Sequence, residues 1–183
     1  MKKVLLLAAA LLISANVMAD EVVFKLGLDK NKTIEVSGNA SGKYNPDETI
    51  TLQAEYFGEM DDNLYLGVGA NVGSTVEVED GDFVSLVPVY VTGKYKFSGR
   101  DARPYIGLKG GYTFASLENL SYNDEETGGL FLGANAGIEF GSGFMVEISY
   151  EEAKYGRENL NGYKVNYKSP KVGLNLGYSF NLY

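Results

Sequence analysis

Residues 64–74 read LYLGVGANVGS, and the fold turns on which side of that stretch is inside. Leu64, Leu66, Val68, Ala70 and Val72 share one parity; Tyr65, Gly67, Gly69, Asn71 and Gly73 share the other. Strict alternation marks a strand whose two faces meet different surroundings. A water-soluble protein would turn the oily face inward. The rest of the chain argues for the reverse.

Seven more alternating segments surround this one, near 22–29, 49–58, 83–97, 104–115, 129–140, 144–153 and 170–183. The connections EMDDN (59–63), SGRDAR (98–103) and GSG (141–143) are short turns. Those near 30–48, 75–82, 116–128 and 154–169 are mostly longer and rich in Asn, Asp, Glu, Gly and Lys. Short turns at one end and long loops at the other predict an all-β fold: an eight-stranded antiparallel up-and-down transmembrane β-barrel in an outer membrane. An even strand number places both termini at the short-turn, periplasmic end.

The oily parity of the eight segments supplies forty positions without a charged residue, among them Leu26, Leu52, Leu66, Val89, Leu108, Leu132, Ile148 and Leu174. The other parity holds Lys25, Glu55, Lys94, Lys96, Lys109, Glu139 and Glu147, interleaved with polar side chains and glycine. Glycine is a poor choice for the wet outside of a soluble barrel, because it weakens strands and packs against nothing. Inside an eight-stranded bore it has a use. Long side chains from every strand would collide there, and Gly67, Gly69, Gly107, Gly111, Gly133, Gly137, Gly173 and Gly177 make room for the lysines and glutamates. The polar parity is therefore read as the interior, and the oily parity as the lipid face.

Aromatic residues are sorted by height on the oily parity. Tyr56, Phe97, Phe140, Phe144 and Phe180 fall beside the short turns, and Tyr112, Phe114 and Tyr150 near the other end. Two such girdles are expected at the two interfaces of a membrane barrel. Closure would also pair the backbone N–H and C=O groups, the condition for lying in hydrocarbon. Pro88, which cannot donate to a ladder, is expected at the outer rim beside a bulge.

The chain opens MKKVLLLAAALLISANVMA, with Lys2 and Lys3 ahead of the ten apolar residues Val4 to Ile13 and a small-x-Ala site at Val17-Met18-Ala19. The apolar run is too short to span a bilayer as a helix and reads as a secretory signal, residues 1–19, cleaved to leave a single barrel domain over 20–183. The mature chain would carry 14 basic against 24 acidic residues, a formal charge of −10, which argues against nucleic acid as a partner. No cysteine is present, so disulfides and thiolate metal sites are excluded.

The stretches ITLQAEYFGEMDDNLYLGVGANVG (50–73), PYIGLKGGYTF (104–114), GLFLGANAGIEFGSGFMVEISYEEAKYG (129–156) and VGLNLGYSF (172–180) resemble the small eight-stranded outer-membrane barrels of the OmpX/Ail and OmpA type. The resemblance covers the mature chain from the second strand onward and rests on pattern and spacing. It implies partners in outer-membrane lipid and lipopolysaccharide, the barrel assembly machinery and, through the loops, host-surface molecules. Two departures stand out. Such barrels end in an aromatic in phase with the outer face, whereas here Phe180 and Leu182 are in phase and Tyr183 is one step out. Nothing after the eighth strand suggests the peptidoglycan-binding domain of full OmpA proteins.

Histidine is absent, so a Ser-His-Asp/Glu arrangement of the kind used by membrane-barrel lipases cannot form. The carboxylate pairs Asp61-Asp62, Glu125-Glu126 and Glu151-Glu152 read as solvated charge in turns and loops. The glycine runs lack the following GK[ST] of a phosphate loop. Acidic VEVEDGD (76–82) lacks the alternating ligands of a calcium loop and reads as a solvated segment. No catalytic residue, cofactor or metal site is expected. The constellation that remains is the interior set, in which Glu55, Glu139 and Glu147 are expected to pair with Lys25, Lys94, Lys96 and Lys109 from neighbouring strands and block the bore. The reading is a barrel with surface loops and without enzymatic activity, for which the resemblance to OmpX/Ail implies an envelope-integrity or adhesion-type role. A narrow porin-like channel for small ions or solutes is the alternative, and a soluble lipocalin-like carrier a distant third.

Overall fold

The computed structural model describes residues 21–31, 34–38, 42–44, 48–72, 74–78, 82–117, 124–159 and 164–182. Residues 1–19, read as a secretory signal, and Tyr183 lie outside them. Staves of the barrel are β1 (Glu21–Asn31), β4 (Glu48–Asp61), β5 (Leu64–Val72), β7 (Asp82–Lys96), β8 (Ala102–Leu117), β10 (Gly129–Phe140), β11 (Phe144–Asn159) and β12 (Lys164–Asn181). Each pairs antiparallel with the next, and β1 pairs with both β4 and β12, which closes the ring. Four shorter pieces extend the long-loop end: β2 (Ile34–Gly38), β3 (Gly42–Tyr44), β6 (Ser74–Val78) and β9 (Asp124–Thr127).

The short turns tighten as their residues dictate. Gly143, at φ +88°, takes a left-handed conformation between β10 and β11 that a side chain would strain. Asp62 N–H is held by Asp61 Oδ1 at 2.9 Å in the turn before β5. At the other end the strands run further than their polar composition suggested. Residues 154–169, read as loop, are mostly a hairpin in which Glu158 pairs with Lys164 and Tyr155 with Tyr167. β6 and the start of β7 take up most of 74–82, and β2, β3 and β9 lie in the other two stretches read as loop. Once a ladder is in place, alternate polar side chains can continue it into water; only a hydrocarbon face requires alternate apolar ones.

Pro88 sits on β7 opposite Thr113. On its other side the register slips by one residue between Ala70↔Val89 and Ser74↔Leu86, so the break in pairing falls at the residue with no N–H to give.

Leu66, Leu108, Ile148 and Leu174 are all exposed, Leu108 by 70%. Lys25, Glu55, Lys94 and Glu147 are buried. Apolar skin over a charged centre is the inverse of a soluble barrel. The interior glycines show why the centre fits: an added Cβ would lie 2.6 Å from the Tyr90 ring at Gly69 and 2.6 Å from the Tyr105 ring at Gly137. At Gly110, on the outer face, it would meet nothing within 4 Å.

Candidate functional site: the ion-paired bore

The short-turn half of the bore is organised by Glu21 of β1. Its two carboxylate oxygens lie 2.7 Å from Lys94 Nζ and 2.7 Å from Lys96 Nζ, both on β7. Lys96 also reaches Glu139 of β10 at 2.7 Å. Lys94 lies over the Phe57 ring, 3.9 Å from its centroid, and Lys96 4.5 Å from that of Tyr65. Ring faces are negative, so each ammonium is held by charge on one side and by a quadrupole on the other. Val23, Phe57, Tyr65 and Met145 pack as an apolar cluster in the bore.

Above this block a chain of alternating charge runs up the bore. Lys25 stands 2.7 Å from both Glu55 and Glu147. Lys109 lies 3.3 Å from Glu55 and 3.0 Å from Glu151. Lys171 closes the series at 3.1 Å from Glu151 and 2.6 Å from Asp29. Neutral donors add to the lysines at Glu147 and Glu55. Glu147 accepts from Tyr105 Oη at 2.9 Å, Asn135 Nδ2 at 2.6 Å and Asn175 Nδ2 at 3.0 Å. Glu55 accepts from Tyr90 Oη at 3.0 Å. Tyr105 joins the two blocks, since its hydroxyl serves Glu147 while its ring centroid lies 5.6 Å from Lys94. Charges taken from water are tolerable only when paired and hydrogen-bonded in this way.

Towards the loop end the bore closes on rings. Tyr90 stacks on Phe131 at 5.2 Å between centroids, with Phe131 fully buried.

Six of the seven charged residues singled out in the sequence are buried, and Glu139 is nearly so. All seven take part in the pairs just described, but the partners are not all on neighbouring strands as expected: Lys25–Glu55 joins adjacent staves, whereas Lys25–Glu147, Lys96–Glu139 and Lys109–Glu55 reach across the bore, because inward side chains meet over the axis as well as along the wall. The sequence reading passed over Glu21, Asp29, Glu151 and Lys171, each on the interior parity of its strand. Glu151 needs a correction, because with Glu152 it was read as solvated charge. The pleat separates the two: Glu151 faces Lys109 and Lys171, and Glu152 lies on the other side of the strand. The apolar interior layers at Phe57, Tyr105, Phe131 and Met145 also went unread.

On the outer face Phe97, Tyr112, Phe140, Phe144, Tyr150 and Phe180 are exposed, and Phe114 is half-buried. Phe140 stacks on Phe144 at 6.1 Å and Tyr112 meets Phe114 edge-on at 5.1 Å. Tyr56 differs from this set. It stays in register with Val22 and Val68 on the outer parity, yet neighbouring atoms cover it to 9% exposure.

A closed antiparallel ring with an apolar outer wall and a filled polar bore defines a small transmembrane β-barrel of the outer-membrane class. The chain belongs to the family described as the outer membrane protein beta-barrel domain, which it matches over residues 5–180. Among solved structures, OprG from Pseudomonas aeruginosa matches with a TM-score of 0.58 and 16% identity, covering 90% of this chain and 98% of that one. The outer membrane protein AlkL, determined in lipid bilayers, gives 0.59 and 15% over 90% and 92%. Neisserial surface protein A gives 0.54 and 15% over 87% and 97%. At such identities the likeness is one of fold. A search of curated proteins found no match.

Proposed function

We propose that this protein is a non-enzymatic surface barrel: a plugged scaffold in the outer membrane that holds its long loops outside the cell, for envelope integrity or adhesion. The observation that supports this reading is the filled bore, in which Lys25, Glu55, Lys109, Glu147 and Glu151 form one ion-paired chain beneath the buried Phe131. A scaffold closed along its axis leaves the loop end as the working part. The sequence contains no histidine, which removes the usual activator of a serine or water nucleophile. In this reading both termini and the short turns face the periplasm, and the partners are outer-membrane lipid and lipopolysaccharide, the assembly machinery and, through the loops, host-surface molecules.

Protease added to intact cells should cut within 160–163 and spare the short turns until the membrane is opened. In planar bilayers neither the wild-type protein nor the Glu55→Ala/Glu139→Ala variant should carry steady current. A steady wild-type current would replace the scaffold by the narrow channel. Deleting residues 37–46 tests adhesion, and undiminished binding to a panel of host matrix proteins would remove that role from the first loop.

A further inference from the structure

The chain of alternating charge in the upper bore begins and ends on a carboxylate. Followed along its contacts it runs Glu147, Lys25, Glu55, Lys109, Glu151, Lys171, Asp29. Four carboxylates thus share three ammonium groups among the described residues, and all seven are buried. The two ends are treated differently. Glu147 has three neutral donors beside its lysine: Tyr105, Asn135 and Asn175. Asp29 gives Oδ2 to Lys171 at 2.6 Å, but its Oδ1 meets no hydrogen-bond donor, although the residue is only 1% exposed. A buried charge without a full set of partners is costly. Glu139 Oε2 is the other carboxylate oxygen buried without a hydrogen bond among the described residues, and Lys96 Nζ stands 2.7 Å from it.

The surroundings of Asp29 Oδ1 suit an ion. Gly173 of β12 pairs with Asp29 of β1 on one side and with Ser149 of β11 on the other. All three lie on the interior parity, so Asp29 and Ser149 flank the glycine within the bore. Their oxygens turn into the space it leaves: a Cβ added at Gly173 would run into Asp29 Oδ1 and lie 2.8 Å from Ser149 Oγ. At Gly69 and Gly137 the corresponding space takes a tyrosine ring; here it takes two oxygens. Those oxygens make no hydrogen bond to each other. Ser149 Oγ accepts from Asn175 Nδ2 at 3.1 Å, which leaves its second lone pair for another partner.

The chemistry of the pair chooses the ligand. Carboxylate and hydroxyl oxygens suit hard cations. An anion would be repelled by Asp29, and an apolar group would leave its charge unpaired. A single surplus negative charge calls for a single positive one. Calcium sites draw on about six to eight oxygens with several carboxylates, and no group of three or more carboxylate, imidazole or thiolate side chains able to hold a metal occurs among the described residues.

We propose that Asp29 Oδ1 and Ser149 Oγ, converging over Gly173, bind one monovalent cation, sodium or potassium, as the last member of the charge chain in the bore. Water completes its coordination.

The test is urea unfolding of the full-length barrel in phosphatidylcholine vesicles, at one pH and one ionic strength set with sodium, potassium or choline chloride. Choline is too bulky to sit between two side chains on adjoining strands and serves as the inert salt. The midpoint should be higher in sodium or potassium than in choline. Above the dissociation constant of the ion, the folding equilibrium should rise about tenfold for each tenfold in its concentration. The alkali ion that acts at the lower concentration is the preferred one. Asp29→Asn, which keeps the shape and removes the charge, should abolish the difference between salts. Ser149→Ala should weaken ion binding about tenfold, and it carries the assignment if Asp29→Asn does not fold. Identical wild-type midpoints in all three salts would overturn the site. So would a difference that persists undiminished in Ser149→Ala, or stabilisation by calcium chloride alone.

Discussion

The Glu21 carboxylate and the Lys94 ammonium meet at 2.7 Å across the bore, although they stand on staves three apart around the ring and 73 residues apart in sequence. The ion pair of Lys94 among the described residues is this one, whereas Lys96 keeps Glu139 if Glu21 is lost. Glu21→Ala therefore leaves the buried Lys94 ammonium over the Phe57 ring without its ion pair. It should cost about 3–5 kcal/mol, the usual penalty for breaking one side of a buried pair. Urea unfolding in phospholipid vesicles, read from the mobility difference between folded and unfolded barrel on cold gels, measures it. Adding Lys94→Met should recover much of the loss, since the uncompensated charge then goes too. An unchanged midpoint for Glu21→Ala would remove the pair from any account of stability.

Leu108 tests which solvent the wall meets. It is 70% exposed and pairs in register with Ala134 and Gly93 midway up the wall. An exposed leucine in a soluble protein tolerates replacement within about 0.5 kcal/mol. On a lipid face near the midplane, Leu108→Arg should cost about 2–4 kcal/mol. The same urea titration distinguishes the two, and a loss below 1 kcal/mol in lipid would contradict the inside-out arrangement.

Two glycines on opposite faces should answer alike substitutions in opposite ways. At Gly137 an added Cβ would lie 2.6 Å from the Tyr105 ring and 2.6 Å from the Val146 carbonyl oxygen. Gly137→Val should lose about 1–3 kcal/mol through overpacking and displace the tyrosine that serves Glu147. At Gly110 nothing lies within 4 Å. Gly110→Val should be neutral or stabilising by up to about 1 kcal/mol, because valine suits a strand better than glycine does. Equal losses at both positions would mean that strand propensity, and not the space inside, sets the glycine pattern.

The wall of this barrel was legible because lipid demands uniform treatment: a charge at Leu26, Val89 or Leu174 would be penalised, so the parity is unbroken and can be read from one strand at a time. The bore was legible only in part. Glu21 lies one residue before the strand as read from sequence, and Glu151 sits in a doublet that looks like surface charge. What assigns them inward is the partner across the bore, Lys94 for one and Lys109 for the other, at separations of 73 and 42 residues. No local pattern carries such information, although extending the interior parity by one step would have reached Glu21, Glu151 and Lys171. Phe131 and Tyr105 escaped for another reason: a lone ring among polar residues has no periodicity of its own. The hairpin beyond Tyr150 was missed because outside the bilayer polar alternation and polar loop have the same composition.

Glu147 receives four donors, Lys25 together with Tyr105, Asn135 and Asn175. Glu55, the other partner of Lys25, keeps Lys109 and Tyr90 when that lysine is lost. Lys25→Met should therefore cost less than Glu21→Ala, because both carboxylates it leaves behind retain hydrogen-bond donors. Glu147→Gln strands Lys25 less severely still, with Glu55 at 2.7 Å on its other side. The double variant should fall short of the sum of the single losses by about 0.5–3 kcal/mol, the coupling expected of residues in one network. A cycle that closes to zero would show that the 2.7 Å contact between Lys25 and Glu147 holds geometry without contributing energy. The plug would then owe its strength to the amides and phenols around it.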